Sequence, residues 1–285
     1  MSVARASRFA TIAASIALLV GACSTPAATP SAAPVATAAP TAAPSTAAAV
    51  ELKILGASSL SAALTRIKTA YEAANPGTTL TISTDSSAAL ETEIEQGAPA
   101  DIFLSADTSN PKKLVDGGFA SGAAVDFAGN LLTIIVPTGN PANITAPADI
   151  VKAGVRIVAA GDTVPITKYA TQLVKNLAAK SADAAAFTAA YAKNIVTKQD
   201  NVKAVVAQIE LGQGDAAIVY VTDAKASTKV QTVDVPADVN VPATYAGVVV
   251  KASANAAAAQ AFMTWLTGPD GQAILAGLGF LPPPA

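Results

Sequence analysis

Short apolar runs alternate with segments of helical periodicity from residue 51 to residue 285. Residues 52–57 form an apolar run that is typical of a buried strand. The next apolar positions recur at the spacing of one helix face, at Leu60, Leu64, Ile67 and Tyr71. This first pair of segments predicts a strand followed by a helix.

The same alternation continues along the chain and predicts an α/β fold. Further strands are predicted over residues 79–84, 101–105, 131–136, 155–159, 217–221, 230–235 and 245–250. Helices are predicted around Leu90, after Asn110, over residues 167–179 and 202–211, and around Phe262 and Leu275. Strands that alternate with helices predict a mainly parallel sheet flanked by helices, with ligands bound beyond the carboxyl ends of the strands.

Two strongly apolar segments divide this alternation into two parts. They lie near Leu131 and Tyr245, and turn residues flank both. One continuous sheet is compatible with the pattern, but two lobes joined by these segments fit it better. We expect lobe I to comprise residues 51–129 and 244–285 and lobe II to comprise residues 130–243. A cleft between such lobes can close on a ligand by a hinge motion.

Paired serines follow the first two predicted strands, directly before the helices. Ser58 and Ser59 follow the first strand, and Ser86 and Ser87 follow the second. A helix N-terminus presents free backbone N–H groups and a partial positive charge, and a serine there adds a hydroxyl donor. Two such junctions at one cleft predict an oxyanion site that contains no lysine or arginine. The alternative is that these serines only cap their helices.

Composition excludes several classes of function. The chain is 52% hydrophobic and 13% charged, so it can bury a large core. Its net charge is −2 and its cationic residues are scattered, so we expect no nucleic-acid partner. It has no histidine and one cysteine, which excludes Ser-His-Asp catalysis, histidine-ligated zinc and an internal disulfide. Carboxylate, Ser-Lys or tyrosine chemistry stays open.

The N-terminal segment predicts export. Residues 1–22 contain Arg5, Arg8 and an apolar stretch, and Val20-Gly21-Ala22-Cys23 then resembles a bacterial lipobox with Cys23 as the lipidated residue. An ordinary secretory signal with an incidental cysteine is the alternative. Residues 23–50 are rich in Ala, Pro and Thr and predict an extended tether rather than a domain.

Several motifs together resemble the periplasmic molybdate-binding proteins of ABC importers. They are LKILGASSL at residues 52–60, the serines at 86–87, GAPADIFLSAD at 97–107, GDTVP at 161–165, KYA at 168–170, DNVK at 200–203, IVYVTDA at 218–224 and the C-terminal segment 262–280. The resemblance covers essentially all of residues 51–281. The GAPAD run is its most specific part, whereas paired serines alone are common.

The resemblance implies a type II two-lobed solute-binding fold that holds molybdate or tungstate through hydroxyl and backbone N–H groups. It places the ligand contacts at Ser59, Ser87, Ile166, Val202 and Tyr220. It also implies a monomer that delivers its ligand to an importer permease, without a cofactor and without enzymatic activity. Taken alone, Tyr220 is more typical of a core aromatic residue with its hydroxyl at the surface, and only the resemblance favours a ligand role.

Three residues depart from the family pattern. Ile166 stands where a small residue is usual, Thr167 replaces a glycine, and Asp85 places a carboxylate beside the predicted anion. We expect Asp85 to cap the following helix and not to touch the ligand. Four further carboxylates are expected in turns and caps rather than in a catalytic cluster, namely Asp101, Asp107, Asp162 and Asp223.

Two other interpretations stay open. The first is a solute-binding protein of the same fold for sulfate, phosphate or an organic anion, with Asp85 as the acceptor for a phosphate proton. The second is a lipid-anchored enzyme or adhesion module, which the lack of histidine and the predicted cleft both disfavour.

Overall fold

Residues 49–284 are described in the computed structural model of the chain, and their strands form three sheets. The predicted signal peptide, Cys23 and most of the tether lie outside these residues. The strands are β1 Val50–Ala57, β2 Thr78–Asp85, β3 Ile102–Ser105, β4 Val125–Asn130, β5 Leu132–Pro137, β6 Ile157–Ala160, β7 Ile195–Gln199, β8 Ala217–Tyr220, β9 Val230–Val233 and β10 Ala243–Val249. The helices are α1 Ser61–Ala74, α2 Ser87–Glu95, α3 Ser109–Asp116, α4 Pro165–Ala178, α5 Ala184–Asn194, α6 Val202–Glu210, α7 Val221–Lys225, α8 Ala256–Thr267 and α9 Pro269–Gly277.

The largest sheet combines the early and the late part of the described chain. Its strand order is β2-β1-β3-β10-β4, with β1 parallel to both β2 and β3. We use lobe I for this sheet together with α1, α2, α3, α8 and α9. Lobe II contains the remaining strands, in a sheet of order β8-β5-β9 and a parallel pair β6-β7, together with α4 to α7.

The α/β prediction is confirmed, but the sheets are not mainly parallel: the five-stranded sheet is mixed and the three-stranded sheet is antiparallel. In lobe I, β10 is antiparallel to both β3 and β4, and in lobe II β5 is antiparallel to β8 and β9. The reason is that the chain passes between the two lobes twice. Strand β4 continues through Leu131 directly into β5, and β10 enters the first sheet in the opposite direction on the way back.

Side chains on alternate positions of β1 and β3 pack on opposite faces of the lobe I sheet. Leu55 and Phe103 belong to one apolar cluster with residues of α2 and α3, whereas Ile54 and Ile102 belong to another with residues of α1 and α8. This period of two is the signature of a strand buried on both faces. The packing fixes the carboxyl ends of β1, β2 and β3 along one edge of the sheet.

The C-terminal helices close the core of lobe I. The ring of Tyr71 on α1 contacts two aromatic rings of α8 edge-on, with centroids 5.0 Å from Phe262 and 5.1 Å from Trp265. The predicted amphipathic C-terminal helix therefore completes the first lobe, although it follows the second lobe in the sequence. None of the helices between residues 49 and 284 has the length and apolar character needed to cross a membrane.

Candidate functional site

A small cavity lies where the two lobes meet. The residues that line it are Ala57, Ser58, Ser59, Asp85, Ser86, Ser87, Ala106, Val164, Pro165, Ile166, Val202 and Tyr220. All five residues that the resemblance implied as ligand contacts are therefore brought to one place.

Lobe I contributes the carboxyl ends of three neighbouring strands to the cavity. Strand β1 ends at Ala57 and runs into a 3-10 turn, Ser58–Leu60, that leads into α1. Strand β2 ends at Asp85 and leads into α2, and Ala106 follows β3. The carboxyl ends of neighbouring parallel strands lie along the same edge of a sheet, so residues that are distant in sequence come together at this edge.

Lobe II contributes two helix N-termini and one strand end. Helix α4 begins with Pro165, a residue favoured at the first helical position, followed by Ile166. Helix α6 begins at Val202, after Asn201, whose side chain caps the helix by accepting a hydrogen bond from the Ala204 N–H at 3.0 Å. The first N–H groups of a helix have no partner within it. The backbone N–H groups of Ile166 and Val202 are therefore available to a ligand.

The Ser87 hydroxyl is held so that its hydrogen stays free to donate. Its oxygen accepts a hydrogen bond from the backbone N–H of Ala106 at 3.0 Å, and the residue is only 1% exposed. A hydroxyl whose oxygen already accepts a hydrogen bond can direct its own hydrogen to an acceptor in the cavity. Ser87 is the first residue of α2, where the helix dipole also favours an anion.

Ser59 is held by a chain of hydrogen bonds that begins near the junction between the lobes. The Asn130 amide donates to the Tyr245 hydroxyl at 3.4 Å, and the Tyr245 hydroxyl donates to Ser59 Oγ at 3.0 Å. Each donor polarises the next group in such a chain. The Ser59 hydrogen is thereby left to donate, as in Ser87.

Tyr220 is a buried neutral donor. Its hydroxyl donates to the Ala106 carbonyl at 3.5 Å, the upper limit for a hydrogen bond, so this contact is weak. Burial is the main cause that raises the pKa of Tyr220 well above its usual value, with neighbouring Tyr245 and Tyr169 adding to the effect. The side chain thus keeps its proton at neutral pH and can offer it to an anion.

Asp85 is the single charged residue among those that line the cavity. The prediction that it caps α2 is wrong, because Ser86 is the cap and its oxygen accepts the Ala89 N–H at 3.2 Å. Asp85 lies one residue earlier, at the end of β2, and accepts the N–H of Ser86 at 2.7 Å. Its carboxylate also accepts the side-chain amide of Asn201 in lobe II at 2.9 Å.

The other departures and carboxylates have structural roles. Thr167 donates its hydroxyl to the carbonyls of Ala160 and Gly161 at 3.1 and 2.8 Å, so this hydroxyl is already used by the backbone. The carboxylates of the remaining aspartates all accept hydrogen bonds from nearby donors. These donors are the Lys53 backbone N–H and the Ser253 hydroxyl for Asp101, the side chains of Ser105 and Asn110 for Asp107, the Lys198 side chain for Asp162, and the Tyr220 backbone N–H for Asp223. Within residues 49–284 no cluster of His, Cys, Asp and Glu could hold a metal ion.

Burial raises the pKa of one of these carboxyl groups, Asp223, to about 7. The group lies in the first turn of α7 and receives the Tyr220 N–H at 3.3 Å, which only partly offsets the desolvation. Asp223 thus carries much less negative charge behind the cavity at neutral pH than an exposed aspartate would.

Sequence reasoning missed the residues that hold the donors in place. Asn130, Tyr245 and Asn201 act through other side chains and lie far along the chain from their partners. The cap position of Asn201 before α6 was the one local signal available.

The chain belongs to the family of bacterial extracellular solute-binding proteins, which matches residues 52–281. This membership defines a protein that binds a solute and is not an enzyme.

Individual relatives lie within this family. ModA of Mycobacterium tuberculosis, a molybdate-binding protein, is 32% identical over 236 residues, which cover 82% of this chain and 86% of ModA. YvgL of Bacillus subtilis, provisionally named an ABC transporter substrate-binding lipoprotein, is 30% identical over 233 residues. This matched region covers 81% of this chain and 86% of YvgL. The periplasmic molybdate-binding protein of Azotobacter vinelandii superposes with a TM-score of 0.70 at 25% identity, covering 82% of this chain and 100% of that structure. The resemblance and the two-lobed fold are thus confirmed.

Proposed function

We propose that the protein captures molybdate outside the cytoplasm and delivers it to the permease of an ABC importer. The observation that carries this proposal is the convergence of hydroxyl and backbone donors from both lobes on one cavity, at Ser59, Ser87, Ile166, Val202 and Tyr220. The molybdate-binding relatives support the choice of ligand. Tungstate has the same charge and tetrahedral shape and is included in the proposal.

The donors are sufficient for a tight complex. A micromolar dissociation constant corresponds to about −8 kcal/mol. A hydrogen bond to a charged group contributes roughly 1.5–3 kcal/mol, so a handful of donors reaches this value after the cost of ordering both partners.

The same donors select among anions by protonation and size. Hydrogen phosphate carries an O–H group that would face other donors, whereas molybdate, tungstate and sulfate are unprotonated dianions at neutral pH. Sulfate has shorter bonds, so its oxygens reach fewer donors when these come from two lobes. Asp85 is the feature that favours phosphate as a second candidate, because a carboxylate can accept the phosphate proton.

We expect molybdate and tungstate to bind one per chain and to raise the melting temperature, because a ligand that binds only the native state stabilises it. Calorimetry and thermal unfolding with molybdate, tungstate, sulfate and phosphate in parallel provide the test. Sulfate and phosphate should give far smaller shifts. An equal shift with sulfate would contradict the assignment of molybdate, and tight phosphate binding that is lost in Asp85→Asn would make the protein a phosphate binder.

We also propose that Cys23 is lipidated and that residues 23–50 tether a monomeric binding module to the membrane. The position of the single cysteine after Val-Gly-Ala and the lipoprotein name of YvgL support this anchor. The importer permease is the proposed protein partner. The proposed lobe boundaries are residues 51–129 with 244–285 for lobe I and residues 130–243 for lobe II, and the passage of the chain from β4 into β5 supports the first of them.

Cys23→Ser should release the protein from membranes and leave the molybdate affinity unchanged, because the residue lies far along the chain from the residues that line the cavity. Membrane fractionation and calorimetry of the released protein measure the two effects. If the Cys23→Ser protein stays with the membrane fraction, the lipid anchor at this position is refuted.

A further inference from the structure

A hydrogen bond to a charged group joins the two lobes at the wall of the cavity. It runs from the Asn201 side-chain amide in lobe II to the Asp85 carboxylate in lobe I, at 2.9 Å. Both side chains are partly buried. Other side-chain hydrogen bonds between the lobes have neutral acceptors. Tyr220 donates weakly to the Ala106 carbonyl at 3.5 Å, and Asn130 donates to Thr222 at 2.8 Å where β4 leads into β5. Lys168 donates to Ser109 at 3.2 Å in an exposed contact. An exposed contact of this kind contributes little, whereas a shielded hydrogen bond to a carboxylate contributes more.

Each partner of the cavity bond is fixed by its own backbone. The oxygen of Asp85 that receives the Asn201 amide also accepts the Ser86 N–H at 2.7 Å, which holds the carboxylate against the start of α2. The Asn201 oxygen accepts the Ala204 N–H at 3.0 Å, which directs the amide nitrogen away from α6. Neither side chain can make the cross-lobe bond without setting the position of the helix that follows it.

These helices carry two of the proposed anion contacts. Ser87 is the first residue of α2, two positions after Asp85, and Val202 is the first residue of α6, directly after Asn201. We infer that Asp85 and Asn201 are positioning residues, which hold the two helix N-termini at the separation where both donate to one anion. The inference rests on the proposed function.

The pair also explains why a carboxylate is tolerated beside an anion site. A free carboxylate would repel a dianion in a cavity of low dielectric constant. Two N–H donors on one oxygen of Asp85 offset part of its charge and direct it toward the junction between the lobes.

Exchanging the two side chains tests this role. Asn201→Asp keeps the cap on α6, since aspartate caps as well as asparagine, but it places two carboxylates face to face. We expect the bound anion to dissociate about tenfold or more faster, with a much smaller change in the association rate. The double variant Asp85→Asn with Asn201→Asp has the same net charge as the natural protein and reforms the bond in the opposite direction. It should restore slow dissociation.

The measurement is the dissociation rate of the anion that binds most tightly among molybdate, tungstate, sulfate and phosphate, chased with an excess of the same unlabelled anion. Ser109→Ala removes the exposed cross-lobe contact and is the matched control, with an unchanged rate expected. Unfolding of the ligand-free variants shows whether any of them is destabilised. Dissociation that stays fast in the double variant, or that is unaltered in Asn201→Asp, overturns the positioning role. Binding of sulfate instead of molybdate overturns the proposed ligand alone.

Discussion

Val202→Pro should weaken molybdate binding by about tenfold to a hundredfold without unfolding the protein. Val202 is the first residue of α6, where proline is well tolerated, and Asn201 before it has φ −154° and ψ 167°, an extended conformation compatible with a following proline. The substitution therefore removes one backbone N–H with little change in the backbone. Loss of one hydrogen bond to a charged group, roughly 1.5–3 kcal/mol, gives the expected range.

Val202→Ala is the matched control, because it shortens the buried side chain but retains the N–H. It should lower the stability of the ligand-free protein more than Val202→Pro lowers it and should bind molybdate nearly as well as the natural chain. Calorimetry and denaturant unfolding of both variants separate the two effects. Equal affinities for the proline and alanine variants would show that this N–H does not contact the anion.

Ser87→Ala should weaken molybdate binding by about tenfold or more. The variant loses one hydroxyl donor to the anion, and it also leaves the Ala106 N–H without the acceptor that it has at 3.0 Å. A buried N–H without a partner costs about 1–3 kcal/mol of stability, so the ligand-free protein should melt at a lower temperature as well.

The neighbouring serine separates loss of a donor from loss of a helix cap. Ser86→Ala removes the cap on α2 and should cost about 1 kcal/mol of stability. Its effect on affinity should be much smaller than that of Ser87→Ala, since the Ser86 oxygen serves the Ala89 N–H. Titration calorimetry on both variants decides the matter. A larger loss of affinity in Ser86→Ala than in Ser87→Ala would show that Ser86, and not Ser87, contacts the anion.

Hydrophobic periodicity predicted most of the fold because most elements bury one clear face or both. The pattern was sufficient for β1, α1 and the helix around Phe262, each of which buries a continuous set of apolar residues. It did not predict β7, Ile195–Gln199, whose residues are partly or largely exposed, nor α5, whose alanine-rich sequence has few large apolar side chains to mark a face. The antiparallel direction of β10 was also missed, since strand direction depends on the path between lobes.

The sequence allowed the proposed ligand contacts to be predicted, but not the residues that hold these contacts in place through hydrogen bonds. Ser59 and Ser87 stand at strand-to-helix junctions, which are visible as local patterns. Val202 and Ile166 offer only backbone groups, so the family resemblance alone suggested them. The Tyr245 hydroxyl that holds Ser59 comes from the last strand, and no local pattern connects two such distant positions.

The proposed anion contacts are helix ends and neutral hydroxyls, and no lysine or arginine is among the residues that line the cavity. Mobile ions screen interactions between exposed charges beyond about 10 Å at 0.1 M ionic strength, but they act weakly on short contacts inside a buried cavity. We therefore expect a site of this composition to bind its ligand with nearly the same affinity at low and at high ionic strength. An extracytoplasmic protein meets the salt concentration of the external medium, and the proposed capture through buried dipoles would depend little on that concentration.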